Sequence, residues 1–193
     1  MRRGRDARPT SLRTSDVVSR CVRDARSLAM ALALLATAVP LRPAQSQDRP
    51  ARSARTLSPD WRMRDLYGRD VPLRTFRGRP IVLNLWATWC APCVAELGSL
   101  ERLRDSLRAR GRADVVFLLV APETRRSVQR FRERRPIGLP LFVELDPLPP
   151  VLGLRAVPST WLIDREGRIA AEHRGARVWD APDAIAFIER VLP

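Results

Sequence analysis

The chain reads as an α/β domain on a partly parallel sheet, and three observations predict it. β-rich apolar runs recur at Ile81–Ala87 ("IVLNLWA"), Val115–Ala121 ("VVFLLVA") and Leu139–Leu145 ("LPLFVEL"). The segments between them carry apolar residues at helical spacing. A strand–turn–strand pattern stands at each end of the series. Strands that alternate with helices build a layered sheet, with the helices packed against it.

Each element has its own justification. "WRMRDLYGRDVPL" (Trp61–Leu73) alternates about "YGRD" and predicts a small β-hairpin. "RTFRGRP" is a turn region ending at Pro80. The run at Ile81–Ala87 has the length and apolarity of a buried strand. A helix follows: Pro92 suits its first turn, Leu97, Leu100, Leu103 and Leu107 repeat at helical spacing, and Gly111 closes it. Val115–Ala121 is a second buried strand. "ETRRSVQRFRERR" (Glu123–Arg135) predicts an exposed helix with Val128 and Phe131 inward, stopped by Pro136. Leu139–Leu145 is a third strand, and "DPLPPVLGL" a Pro-rich connection with room for one helical turn. "STWLIDREGRIAAEHRG" (Ser159–Gly175) reads as strand, "DREG" turn, strand. Asp180 is expected to cap a final helix whose Ile185, Ile188, Val191 and Leu192 face the core.

A chain of 193 residues holds one domain with a proper core and a tail. The tail is predicted at residues 1–46, where "SLAMALALLATAV" (Ser27–Val39) is apolar throughout and follows Arg-rich sequence. The run is too short for a standard transmembrane helix of about 20 residues. It matches the apolar stretch of a secretory signal. Small residues at Ala44–Ser46 offer cleavage before Gln47; an uncleaved segment would anchor the protein through residues 27–39. The predicted location is therefore the periplasm or the outer face of the cytoplasmic membrane. Residues 47–57, polar and rich in Arg and Pro, read as a flexible linker, and residues 58–193 as the domain.

The net charge is +14, and all 35 basic residues are Arg. These arginines do not cluster on one element with interleaved aromatics, so no nucleic-acid partner is expected. Cys21 falls in the predicted export segment, leaving Cys90 and Cys93 as the mature chain's thiols. One close pair is no disulfide framework; it points to an active site rather than a staple.

Three chemistries compete for that Cys-x-x-Cys. Structural zinc needs four ligands, and beyond residue 46 only the two cysteines and His173 are on offer, so no metal is expected. Haem attachment needs a His directly after the second Cys, where Val94 stands. A reversible dithiol remains, with no cofactor. Cys90 lies where strand and loop give way to helix, so its thiolate would meet unpaired backbone N–H groups and the positive end of the helix dipole. That lowers its pKa and makes it the attacking nucleophile. Cys93, one turn in and more buried, would resolve the mixed disulfide. Pro92 stiffens the loop between them. Trp86 is expected in the core; Trp89, beside the nucleophile, is expected to shield the site or meet the partner. His173 is given no role.

"NLWATWCAPCVAEL" (Asn84–Leu97), followed much later by "VPSTWLID" (Val157–Asp164), resembles the thioredoxin fold, and within it the exported TlpA/ResA-like thiol–disulfide oxidoreductases. The resemblance runs from about Ser58 to Leu192. It implies a mixed central sheet flanked by helices, with an N-terminal β-hairpin extension. It implies that Cys90 is the nucleophile, Cys93 the resolving thiol, and the Val157–Pro158 bond cis and facing them. Trp89, Ala91, Pro92, Val157 and Pro158 become the expected substrate contacts. Cytosolic thioredoxins carry a buried Asp six residues before the nucleophile, where this chain has Asn84. The TlpA/ResA-like pattern instead places a Glu three residues after the second cysteine, here Glu96, on the same helix face as Cys93. Partly buried, Glu96 would hold a raised pKa and exchange the proton as Cys93 reacts.

The resemblance implies a reductant of periplasmic protein disulfides, such as those of cytochrome c maturation, recharged by a membrane donor of the thiol-reductase type. Pro92 resembles reducing members; strongly oxidising relatives carry His there. Two other readings share the fold. A peroxiredoxin-type peroxidase would need a Pro-x-x-x-Thr-x-x-Cys frame, but Leu83 stands where its Pro must be. A copper-delivery factor would need a third ligand, His or Met, near the cysteines, and none is evident.

Overall fold

The computed structural model describes residues 47–50, 55–153 and 156–193. The predicted export segment, with Cys21 and the apolar run 27–39, lies outside them. In chain order the elements are β1 (Gln47–Pro50), β2 (Arg62–Asp65), β3 (Asp70–Pro72), β4 (Ile81–Leu85), α1 (Ala91–Ala109), β5 (Val116–Ala121), α2 (Arg125–Arg134), β6 (Leu141–Glu144), β7 (Ser159–Ile163), β8 (Ile169–Arg174) and α3 (Pro182–Val191). Short 3₁₀ turns lie at Leu73–Phe76 and Pro150–Leu152. Among the described residues the strands form one sheet in the order β1-β8-β7-β4-β5-β6-β2-β3. β4, β5 and β6 run parallel, and every other pairing is antiparallel. The predicted opening hairpin is β2–β3 and the closing one β7–β8.

β4 sits in the middle of the sheet, and all five of its residues are buried. Strand side chains alternate between faces. Val82 enters one apolar cluster with the leucines of α1, while Ile81, Leu83 and Leu85 enter the other. The helices α1, α2 and α3 all contribute to the first cluster, through Leu97 to Leu107, Val128 and Phe131, and Ile185 and Ile188. The opposite face is closed without α-helices, by Leu57, Trp61, Met63, Leu73, Leu148 and Leu152. Each fully buried leucine on α1 contributes about 1.5–3 kcal/mol relative to exposure. α1 ends as predicted. Gly111 takes a φ of 81°, which a side chain would strain, and the Arg112 N–H returns to the Leu107 carbonyl at 2.8 Å.

Two expectations are corrected. The segment read as a flexible linker is partly structure. Gln47–Pro50 pairs along β8 as an edge strand, and Leu57 is a core residue. An Arg/Pro-rich composition misleads here because an edge strand needs only backbone pairing on one side, and edges tolerate Pro. Asp180 does not cap α3. The N-cap is Ala181 with no side-chain hydrogen bond, and Asp180 instead binds Arg102, Oδ2 to Nε at 2.6 Å. Pro182 opens the helix without an N–H to satisfy, which removes part of the need for a cap.

Candidate active site

The end of β4 delivers the site. The Trp86 N–H donates to the Val120 carbonyl at 3.1 Å, and the chain then leaves the sheet. The loop is held from the side by Glu123, whose carboxylate accepts from the Thr88 N–H at 2.6 Å and the Thr88 hydroxyl at 2.8 Å. Cys90 is the N-cap of α1, and Pro92 sits in the first turn, as expected. Cys90 and Cys93 are joined as a disulfide, with Cα atoms 5.2 Å apart. The Cys93 N–H points at Cys90 Sγ, 3.3 Å away. A thiolate at Cys90 would keep that donor and the N-terminal end of the helix dipole.

Both cysteines are buried, Cys90 at 6% exposure and Cys93 at 0%. Trp89 stands out from the surface at 71% exposure, and Ala91 and Pro92 are exposed beside it. Trp86 is a core residue, its ring 5.2 Å from that of Phe131. The Val157–Pro158 bond is cis. β4 and β7 pair with Leu85 opposite Ser159, so one step further the register sets Pro158 level with Trp86, where the strand runs into the cysteine loop. Pro158 is buried and Val157 half-buried against both clusters.

Glu96 lies on α1 three residues after Cys93 and is only 3% exposed. Its carboxylate accepts from Asn84 Nδ2 at 2.9 Å, the Arg177 N–H at 3.2 Å and Trp179 Nε1 at 3.3 Å. Burial raises its pKa above the ordinary carboxylate range, and the three donors oppose that without cancelling it. Asn84 also donates to Thr160 Oγ1 at 3.0 Å, because the β4–β7 register sets the two residues opposite each other. His173 pairs with Thr160 from β8, and its ring meets Trp179 edge-on at 5.2 Å. A buried polar row of Asn84, Thr160 and His173 thus crosses three strands and is tied to α1 through Glu96. Among the described residues no cluster of three or more His, Cys, Asp or Glu is placed to hold a metal ion.

The structure therefore brings Cys90, Cys93, Trp89, Ala91 and Pro92 together at one loop and sets Glu96 on the helix that follows it. Sequence reasoning missed Thr160, Arg177 and Trp179 as the partners of Asn84 and Glu96. Trp179 follows Gly175 in a loop that spacing rules do not tie to the cysteines.

The AhpC/TSA family model matches residues 55–172. Among curated proteins, the thiol-disulfide oxidoreductase ResA of Halalkalibacterium halodurans is 30% identical over 68% of this chain and 73% of its own. The chain belongs to the AhpC/TSA family, among the ResA-like thiol–disulfide oxidoreductases. A second ResA, from Geobacillus thermodenitrificans, is 31% identical over 58% of this chain, which spans 64% of that relative's length. Solved structures show the same fold. A thiol:disulfide interchange protein of the thioredoxin family from Chlorobium tepidum superposes with a TM-score of 0.58 at 20% identity, over 75% of this chain and 98% of its own. The thioredoxin domain of a thiol-disulfide oxidoreductase from Bacteroides vulgatus gives 0.59 at 17% identity, over 74% and 100%. This ResA-like chain is thus a thiol–disulfide oxidoreductase on a thioredoxin-like fold, as its sequence motifs imply.

Proposed function

We propose that the chain is an exported reductase of protein disulfides that works through Cys90 and Cys93. The observation that supports it most is the placement of this pair at the N-terminus of α1, with a buried, high-pKa Glu96 on the same helix. In the reduced protein the Cys90 thiolate attacks one sulfur of the substrate disulfide. A mixed disulfide forms, and the first substrate thiolate leaves. Cys93 loses its proton, with Glu96 as the acceptor, and attacks Cys90 Sγ. The second substrate thiolate departs, and Cys90–Cys93 is left oxidised, two electrons having passed to the substrate. A membrane dithiol donor returns them. Trp89, Ala91, Pro92, Val157 and Pro158 form the surface against which the substrate segment lies. Val157, next to the loop by register, offers backbone groups for strand-like pairing.

The export reading rests on residues 1–46, with Gln47 as the mature start and residues 58–193 as the catalytic domain. Among the described residues no helix is long and apolar enough to cross a membrane. Any anchoring is assigned to residues 27–39. Exported proteins whose disulfides must be opened before maturation, such as those that receive haem at a cysteine pair, are the substrate class.

Cys93→Ser tests the mechanism. It blocks resolution, so intact partners should accumulate on Cys90 in living cells and be released by dithiothreitol. Absence of any Cys90-linked species would sink the mechanism. A reduction potential above about −150 mV would assign the opposite direction of electron flow. Peroxide consumption by the purified dithiol would favour the peroxidase alternative.

A further inference from the structure

Many described arginines of this domain are tied to carboxylates, such as Arg62 to Asp146, Arg69 to Asp65, Arg102 to Asp180 and Arg168 to Asp164. A few scattered ones, such as Arg77 and Arg108, are not, and neither are those of α2 and its C-cap, which stand together. Among the described residues, Arg126, Arg130, Arg132, Arg134 and Arg135 form no ion pair, and all are exposed. The helix C-terminus accommodates part of this charge, since its carbonyls carry about half a negative charge. Two of the guanidinium groups have a further neighbour. Arg134 and Arg135 line a groove of about 600 Å³ together with Trp89, Ala91, Val94 and Phe131. The groove therefore begins at the cysteine loop and ends at unneutralised positive charge. No described carboxylate lines the groove: Glu123 lies behind its wall, where it accepts from the groove-lining Thr88, and Glu133 is exposed outside it.

We propose that this groove receives an acidic segment flanking the substrate's disulfide, with apolar contacts at Trp89 and Val94 and carboxylates at Arg134 and Arg135. The inference rests on the reading of Cys90 and Cys93 as a substrate-reducing dithiol, and it names the substrate's chemistry. Rim charges of this kind act chiefly on the association rate and are screened by salt. An acidic substrate is thus captured faster and held in register for attack by Cys90.

The test uses the reduced full-length domain and two disulfide-bonded peptides identical except at the flanks, one carrying Asp and Glu, the other Asn and Gln. The readout is the ratio of their reduction rates, which cancels any general loss of activity. The wild type is expected to favour the acidic peptide about tenfold at low salt, with the gap closing as salt shortens the screening length to a few ångströms. In Arg134→Gln/Arg135→Gln the ratio should fall to about one. Equal rates in the wild type, or a preference that survives the double change, would overturn the proposal. So would equal peptide rates accompanied by binding of α2 to phosphatidylserine vesicles, which would mark the helix as membrane-facing. Hydroxyethyl disulfide, small and neutral, separates the two readings. If the wild type reduces it but treats the peptides alike, the groove assignment alone fails. If it does not reduce it at all, the dithiol reading fails and takes the groove with it.

Discussion

Glu96 is the residue whose chemistry depends most on where the fold puts it. On an exposed helix face it would be an ordinary carboxylate. Here burial raises its pKa, while Asn84, the Arg177 N–H and Trp179 hold its two oxygens in place. On the proposed mechanism, removing the carboxylate takes away the proton acceptor and a negative charge one helical turn from Cys93. In Glu96→Gln the thiols are expected to ionise at lower pH, and resolution of the mixed disulfide to slow by up to about 10²-fold. Alkylation rates of the reduced protein across pH, with stopped-flow resolution kinetics, check both; unchanged profiles would leave Glu96 a structural residue. Asn84→Leu removes a donor from Glu96 and also the hydrogen bond to Thr160 Oγ1, so its effect is read in the pH profile rather than in stability. With one donor gone, burial is less opposed, and the feature in the pH profile that belongs to Glu96 should move upward. The pairing of Asn84 with Glu96 was half legible. The sequence marked both residues as those that distinguish the chain from cytosolic thioredoxins. It gave no sign that they touch, because one lies on β4 and the other on α1.

At the scale of elements, α1 does two things with one terminus. Its leucines fasten it to the sheet, and the Cys93 N–H in its first turn points at Cys90 Sγ. If the pair works as proposed, the first turn sets its redox poise, so Pro92→His is the informative change. An imidazolium there would stabilise the Cys90 thiolate, and with it the reduced form, making the pair more oxidising. A rise of roughly 30–60 mV is expected, corresponding to about 1.4–2.8 kcal/mol for a two-electron couple. Redox titration against glutathione measures it, and a fall in potential would contradict the electrostatic account. The central strands and all three helices were legible because their apolar periods are unambiguous. β1 was not, since edge pairing is made by backbone and leaves no apolar signature. The support of Glu96 was not legible either. Arg177 and Trp179 reach it across 81 and 83 residues, a separation that local pattern cannot bridge.

For the whole molecule, acids of opposite character make stability depend on pH in two directions. Burial pushes Asp65 and Glu172 up, but their partners outweigh it and leave both below the ordinary range. Those partners are the Arg69 N–H and guanidinium with the Tyr67 N–H for Asp65, and Arg174 and Arg55 for Glu172. A depressed pKa gives stability that is present at neutral pH and lost as pH falls through the folded value. Glu96 is the reverse. The native state holds its proton more tightly, so that contribution is complete below its ordinary value of 4.5 and is lost as pH rises through the raised one. Urea denaturation from about pH 3 to 8 should therefore show an acid limb in both wild type and Glu96→Gln, and the loss on the alkaline side of pH 4.5 in the wild type alone. The molecule also carries its own optical probe. Of the five tryptophans, Trp61, Trp86, Trp161 and Trp179 are sealed in the interior, and only Trp89 meets water. A hydrated ionic quencher such as iodide, kept out of the interior, will therefore extinguish light from a single indole, the one beside Cys90. Any protein that covers the cysteine loop will shelter it, so docking can be followed on unlabelled material by the emission that survives.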